Sequence, residues 1–206
     1  MGSRLAPRRP AHGNQARAER TRALAIEETV RCVLEEGIAA ASAKHIAERA
    51  GMTWGVIQYH FGDRDGLLMA VVDLGFSQLL EALHALPPAT MPKDGRRRAA
   101  QVVTAAWEAM SSPTSRAAIE ILIGTRATRG SAAAGHLKQL AKTFSELGRS
   151  IDADLDTDQS AALGEMLLST LRGLVVTQLI MAAPVDTARE RSMLVDVIST
   201  YIARKR

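Results

Sequence analysis

Between Ser42 and Leu68 the chain reads SAKHIAERAGMTWGVIQYHFGDRDGLL, two short helix-forming runs on either side of one glycine. Ser42 is the kind of residue that opens a helix, because its hydroxyl can accept a first-turn amide. Ile46, Ala47 and Ala50 then share one face of a helix over 43–50, at spacings of one, three and four. Gly51 follows where a helix stop needs a positive φ, and Thr53 is placed to cap the next helix. That second helix, Trp54 to Phe61, offers Ile57 and Phe61 to a core, while Trp54, Gly55, Gln58, Tyr59 and His60 fall on other faces. Small Ala47 and Gly51, four apart, are expected to let the helices approach closely. Helices this short joined by a tight glycine turn match the helix-turn-helix, whose second helix enters the major groove while the first lies across the backbone. Asp63 is the expected cap of a third helix from Arg64.

From Gly51 onward the order Ala50, Gly51, Met52, Thr53, Trp54, Gly55, Val56, Ile57, Gln58, Tyr59, His60, Phe61, Gly62, Asp63, Arg64, Asp65, Gly66, Leu67, Leu68 resembles the tetracycline-repressor (TetR-type) transcriptional regulators. Two positions depart from that pattern: Gln58 stands where an aromatic is usual, and Arg64 where lysine is usual. The resemblance extends from Thr21 to about Leu74, since Ile26, Val30, Val33 and Leu34 have helical spacing and Gly37 stops that helix. It implies an all-α fold, with an amino-terminal three-helix DNA-binding domain and a carboxy-terminal helical domain for ligand binding and dimerisation. The expected boundaries are an arm over 1–16, the reader over 17–62 and the second domain over 63–206. The implied partners are double-stranded operator DNA, a small-molecule effector and a second copy of the chain. Repression is the default outcome.

The expected DNA-binding set is Ser42, Lys44, Thr53, Trp54, Gly55, Gln58, Tyr59, His60 and Arg64. Lys44, Thr53, Tyr59, His60 and Arg64 are assigned to phosphates, and Trp54, Gly55 and Gln58 to base edges. Tyr59 and Trp54 could instead pack between helices. Gln58 is the natural partner of an adenine edge.

Charge agrees with this reading only through its placement. The whole chain carries +4, yet residues 1–22 hold six arginines against one glutamate, a net +5, and residues 23–75 sum to −4. The reader is therefore locally acidic and must depend on a few placed contacts. The arm, aperiodic and rich in Pro, Gly and Arg, is expected to be disordered, serving either as a solubilising tail or as a minor-groove contact.

Apolar residues make up 47% of the 206 positions but aromatics only 3%, which favours helices packed with Ala, Leu, Ile and Val. No uninterrupted apolar run reaches the roughly 18 residues of a membrane span, and the start lacks a secretory core, so a cytoplasmic protein with no membrane partner is expected. The single cysteine, Cys32, reads as a buried thiol in mid-helix.

Beyond the reader, a long helix from Arg64 is expected to end at Pro87-Pro88. Further helices are expected over 95–110, 114–127, 132–151, 158–182 and 187–203, with no strands and no repeat. The last two carry the strongest apolar stripes. Leu163, Leu167, Leu171, Leu174, Leu194, Val197, Ile198 and Tyr201 are the candidate dimer interface, with intrachain packing the competing explanation. Trp107, Met110, Ile123, Arg126, Phe144, Met166 and Thr170 are the candidate effector pocket, suited to a hydrophobic or amphipathic ligand.

No catalytic residue set, cofactor fingerprint or metal motif is found. The five histidines are far apart in sequence. Asp152, Asp154, Asp156 and Asp158 alternate like a calcium loop, but Thr157 and Leu163 occupy the places where such a loop needs a glycine and a bidentate acid, so a helix cap is expected. An all-α enzyme and a nonspecific architectural DNA binder are the remaining alternatives. The first lacks convergent ionisable groups, and the second has no use for so long a second domain.

Overall fold

The computed structural model describes residues 11–86, 94–152, 154–181 and 183–204. Among these there are nine helices and no strand: α1 (Ala11–Glu36), α2 (Ala43–Arg49), α3 (Trp54–Phe61), α4 (Arg64–His84), α5 (Gly95–Met110), α6 (Pro113–Gly124), α7 (Ala134–Ile151), α8 (Thr157–Ile180) and α9 (Ala188–Ala203). The chain divides into two compact units after Ala70. The boundary expected at Gly62 thus lies eight residues early, because Leu67, Leu68 and Ala70 of α4 are buried in the first unit's interior. Of the expected arm over 1–16, residues 11–16 belong to α1, and residues 1–10 lie outside the described part.

In the first unit α1 packs on α2 and α2 on α3. Ala25, Ile26, Val33, Ile46, Ala47 and Ile57 are all buried, so each short helix is held by one or two apolar anchors rather than by its own propensity. Ser42 caps α2, accepting the His45 amide at 3.1 Å, and Asp63 caps α4, accepting the Gly66 amide at 2.8 Å. Gly37, Gly51 and Gly62 all have positive φ, at 82°, 64° and 80°. Gly51 is required for that backbone conformation and not for close approach, since a Cβ there would meet nothing within 4 Å. Gly66 is the reverse case, because a Cβ on it would overlap the Phe61 carbonyl.

In the second unit α5 packs against α6, α7, α8 and α9, and α7 lies along α8 in the most extensive helix pair. Gly148 of α7 faces the Ser160 carbonyl and Gly164 of α8 faces the Phe144 carbonyl so closely that a side chain at either position would overlap backbone. Phe144, Leu147, Ile151, Leu163, Leu167, Leu171 and Ile198 fill the interior. Asp156 caps α8 in a reciprocal capping box with Gln159, and Asp152 is buried and accepts the Asp154 amide at 3.1 Å. The alternating aspartates are accordingly a turn and a helix start.

By length and composition α4 and α8 are apolar enough to cross a bilayer. The buried stripe of each is occupied by this chain's own core, and α4 carries exposed Asp73 and Glu81.

Candidate nucleic-acid interface

One buried residue, Ile57, anchors α3, and that anchor decides which side chains the helix presents. Trp54 is 53% exposed and Tyr59 83%, with Gly55 and Gln58 also on the open side. An indole and a phenol thus stand in solvent on a two-turn helix, with Gln58 and Gly55 among them. Tyr59 meets His60 edge to face with centroids 5.0 Å apart, while His60 turns partly inward. Phe61 is half-buried beneath the Arg22 guanidinium of α1, 5.3 Å from its ring centroid. Neither Trp54 nor Tyr59 packs between helices.

Thr53 holds the N-cap position of α3 with extended φ and ψ, yet its hydroxyl makes no capping bond. The amino end of α3 therefore presents uncapped amides together with that hydroxyl, a combination suited to a phosphate. Lys44 is exposed on α2, 3.9 Å from Glu48, and Ser42 is exposed while its oxygen serves the cap. Seven of the nine expected residues, Ser42, Lys44, Thr53, Trp54, Gly55, Gln58 and Tyr59, thus lie exposed across the start of α2 and the open side of α3.

Arg64, expected at a phosphate, is half-buried and binds the protein's own backbone. Its Nε donates to the Ala41 carbonyl at 2.7 Å and its terminal amine to the Ile38 carbonyl at 2.8 Å. Two of the three guanidinium nitrogens thus fix the loop between α1 and α2, which helps place the reader.

Arg49, to which the sequence assigned no role, does similar work on the other side. It donates to Glu28 at 2.6 Å, to Glu35 at 2.7 Å and to Glu36, so one residue at the end of α2 engages three carboxylates of α1. Hydrogen bonds to Glu35 and Glu28 hold its guanidinium above its ordinary value, and contact with His45 and Arg49 holds the Glu36 carboxyl below its own. Three of the reader's carboxylates are thereby engaged between α1 and the end of α2, away from α3. The signal in sequence was the i, i+7 and i, i+8 spacing of Glu28, Glu35 and Glu36 along one side of α1.

The second unit corrects two further expectations. Leu163, Leu167, Leu171, Leu194 and Ile198 are buried within the chain and hold α8 and α9 to its core, so they cannot line a face for a second copy. Of the expected interface, Val197 is exposed, and Leu174 and Tyr201 are half-buried. Ile180 and Met193, at 75% and 57%, are the larger exposed apolar groups on these helices. Apolar periodicity identified the helices' inner stripe, since burial within the chain and burial between chains leave the same pattern.

The expected effector pocket is likewise displaced. Phe144 is core, Trp107 is buried under the Arg191 guanidinium at 4.9 Å, and Ile123 and Arg126 face solvent. Met166 and Thr170 are half-buried. Only Met110 remains, in a cavity of about 50 Å³ lined also by Phe76, Leu79, Ser115, Ile119, Leu122, Leu140 and Arg172. Leu137, Leu140 and Arg172 are shared with an open groove of about 410 Å³ between α7 and α8. The Ser115 hydroxyl is buried there without a hydrogen-bond partner.

Residues 25–71 match the family model described as bacterial regulatory proteins, tetR family. The HTH-type transcriptional regulator BetI of Escherichia coli O17:K52:H18 is 36% identical over 94 residues, 41% of this chain and 48% of the relative, so the chain spans about half the length of that curated relative. By fold the chain is similar to SCO4454, a TetR-family transcriptional regulator from Streptomyces coelicolor, with a TM-score of 0.70 and 17% identity over 89% of this chain and 96% of the other. It is also similar to the multidrug binding protein EbrR complexed with imidazole, with a TM-score of 0.59 and 19% identity over 94% of this chain and 97% of the other. Its first unit thus carries the reader domain of the tetR family of bacterial regulatory proteins, and over most of its length the chain has the same all-α fold as the regulators it resembles.

Proposed function

We propose that the chain is a ligand-responsive transcriptional repressor, acting in the cytoplasm by binding and not by catalysis. It would bind a palindromic operator as a dimer and be released by a hydrophobic or amphipathic effector. The observation that carries this reading is α3 itself, held by buried Ile57 while Trp54, Gly55, Gln58 and Tyr59 stand in solvent. Gln58 and Trp54 would read base edges in the major groove, with Lys44, Thr53 and Tyr59 on phosphates and Ser42 at the edge of the contact. Two such helices must meet grooves ~34 Å apart, which requires a dimer. Ile180, Met193 and Val197, with half-buried Leu174 and Tyr201, are the surface of α8 and α9 that would supply it.

The effector would occupy the groove between α7 and α8 and the adjoining cavity, with its apolar body on Leu137, Leu140 and Phe76 and a polar end at Arg172 and Ser115. EbrR, similar in fold, is named as a multidrug binding protein, which supports an adaptable apolar site. Because α4 runs unbroken from the reader into the second unit, its tilt would carry the signal, and DNA and effector would weaken one another by the same factor. Selection of bound sequences from random DNA, repeated with candidate metabolites, tests the whole reading. A two-fold symmetric site whose occupancy falls with a ligand is expected, and uniform coating of DNA or no binding would overturn it.

A further inference from the structure

The first unit holds a second constellation unrelated to the α3 face. Cys32 and Glu36 lie four apart on α1, so they project from one side of the helix, and His45 in the first turn of α2 faces them. The Cys32 sulfur, a Glu36 carboxylate oxygen and a His45 ring nitrogen all lie within 4.8 Å of one another. His45 Nε2 lies 2.9 Å from Glu36 Oε2. Sequence spacing alone kept the histidines apart from the cysteine; the turn around Gly37 folds one of them back onto it.

We propose that Cys32, Glu36 and His45 form a binding site for a divalent transition-metal ion of the zinc and cobalt class, bridging α1 to the first helix of the helix-turn-helix. Thiolate, imidazole and carboxylate together suit zinc, whereas calcium and magnesium prefer all-oxygen sets. Around a tetrahedral zinc, ligand atoms sit roughly 3 to 4 Å apart, so the observed spacing requires a shift of about 1 Å at most. Three protein ligands leave the fourth position to water. Arg49 donates to the other oxygen, Glu36 Oε1, which orients the carboxylate, the kind of outer contact that supports metal ligands elsewhere, and the ion would replace the hydrogen bond between Glu36 Oε2 and His45 Nε2. Cys32 is fully buried, while the Glu36 and His45 side chains are each about one-third exposed and give the ion a path from solvent. Binding would tie α1 to α2 and so stiffen the support of the reader, separately from any effector in the second unit.

The test uses the full-length, metal-free chain titrated with Co(II). Because Cys32 is the only cysteine in the sequence, any thiolate-to-cobalt absorption band in the near-ultraviolet must come from it. The expected result is one equivalent of Co(II) bound with that band and intensified visible bands of tetrahedral geometry, displaced by Zn(II). Zinc should also raise the melting temperature. Cys32→Ser should abolish the near-ultraviolet band. His45→Gln, at a partly exposed side chain, should weaken binding by at least about tenfold and remove the zinc-dependent rise in melting temperature. Absence of the band at millimolar Co(II) would overturn the proposal, as would a band and affinity unchanged in both His45→Gln and Glu36→Gln.

Discussion

Arg49 Nε donates to Glu28 Oε1 at 2.6 Å, joining residues twenty-one positions apart at the place where α2 crosses α1. Glu28 is almost fully buried and also accepts from Arg31 at 3.1 Å, whereas Glu35, a second partner of Arg49, is 57% exposed. A buried carboxylate with two charged donors contributes far more than an exposed one, because the exposed pair competes with water and salt. Glu28→Ala should therefore destabilise the chain by about 2 kcal/mol in a denaturant titration. Glu35→Ala should fall within about 0.5 kcal/mol of the parent. Equal effects at the two sites would show that Glu28 is not the anchor.

Arg64 and Lys44 are both basic residues of the reader, but they should fail differently. Lys44 is exposed, so Lys44→Ala should reduce the steepness of operator affinity against salt by about one unit and leave stability unchanged. Arg64→Ala should keep the slope and lower stability by about 1–2 kcal/mol, since it removes the two guanidinium donors to the Ile38 and Ala41 carbonyls. Arg64→Lys should not restore it, because a single ammonium cannot reach two carbonyls with the fork of a guanidinium. A melting series combined with a salt series on the same three variants checks both outcomes.

These two arginines also show what the sequence could reveal. Helix limits were legible because caps and stops are local: Ser42, Gly37, Gly51 and the end of α5 at Met110 lie where the residue types put them. The reading face was legible because Ile57 and Phe61, one turn apart, point to the core and leave little choice about which side is out, and Ile57 is the residue the structure buries. Arg64 was not, since a carbonyl of a distant loop has no sequence signature and the charge alone suggested a phosphate. The same holds for α8, where Leu167 and Leu171 face inward and Ile180 outward though all are equally apolar. Which apolar stripe meets the chain's own core is decided by tertiary packing that periodicity does not encode.

The pairing of α7 with α8 rests on two glycines that the apolar pattern passes over. A Cβ on Gly164 would overlap the Phe144 backbone, and one on Gly148 would overlap the backbone at Ser160. Gly164→Ala should therefore force the helices apart and cost about 1–3 kcal/mol, even though alanine is the better helix former. Gly173→Ala, on the same helix with nothing near its Cβ, should be neutral or stabilising by up to about 1 kcal/mol. Thermal unfolding of the two variants gives opposite signs if close helix approach is the reason for glycine at 164. Since the groove lined by Leu140 and Arg172 lies between these helices, Gly164→Ala should also alter effector response.

Gln58 is the sharpest test of the reading face. Its side chain is exposed, one turn beyond Trp54 and next to Tyr59, and makes no contact that the fold requires. Gln58→Ala should leave the melting temperature unchanged. If the amide pairs with an adenine edge, its loss removes about 1–3 kcal/mol of discrimination at one base pair of each half-site and leaves the others intact. Sequence selection on parent and variant would then return the same palindrome with one symmetric pair of positions flattened. Because a phosphate contact has no base preference, a general loss of affinity with every position still specified would place Gln58 on the backbone and pass the base-reading role to Trp54. Loss of all preference together with a lower melting temperature would mean that α3 needs Gln58 to stay folded, contrary to the solvent-facing position it holds here.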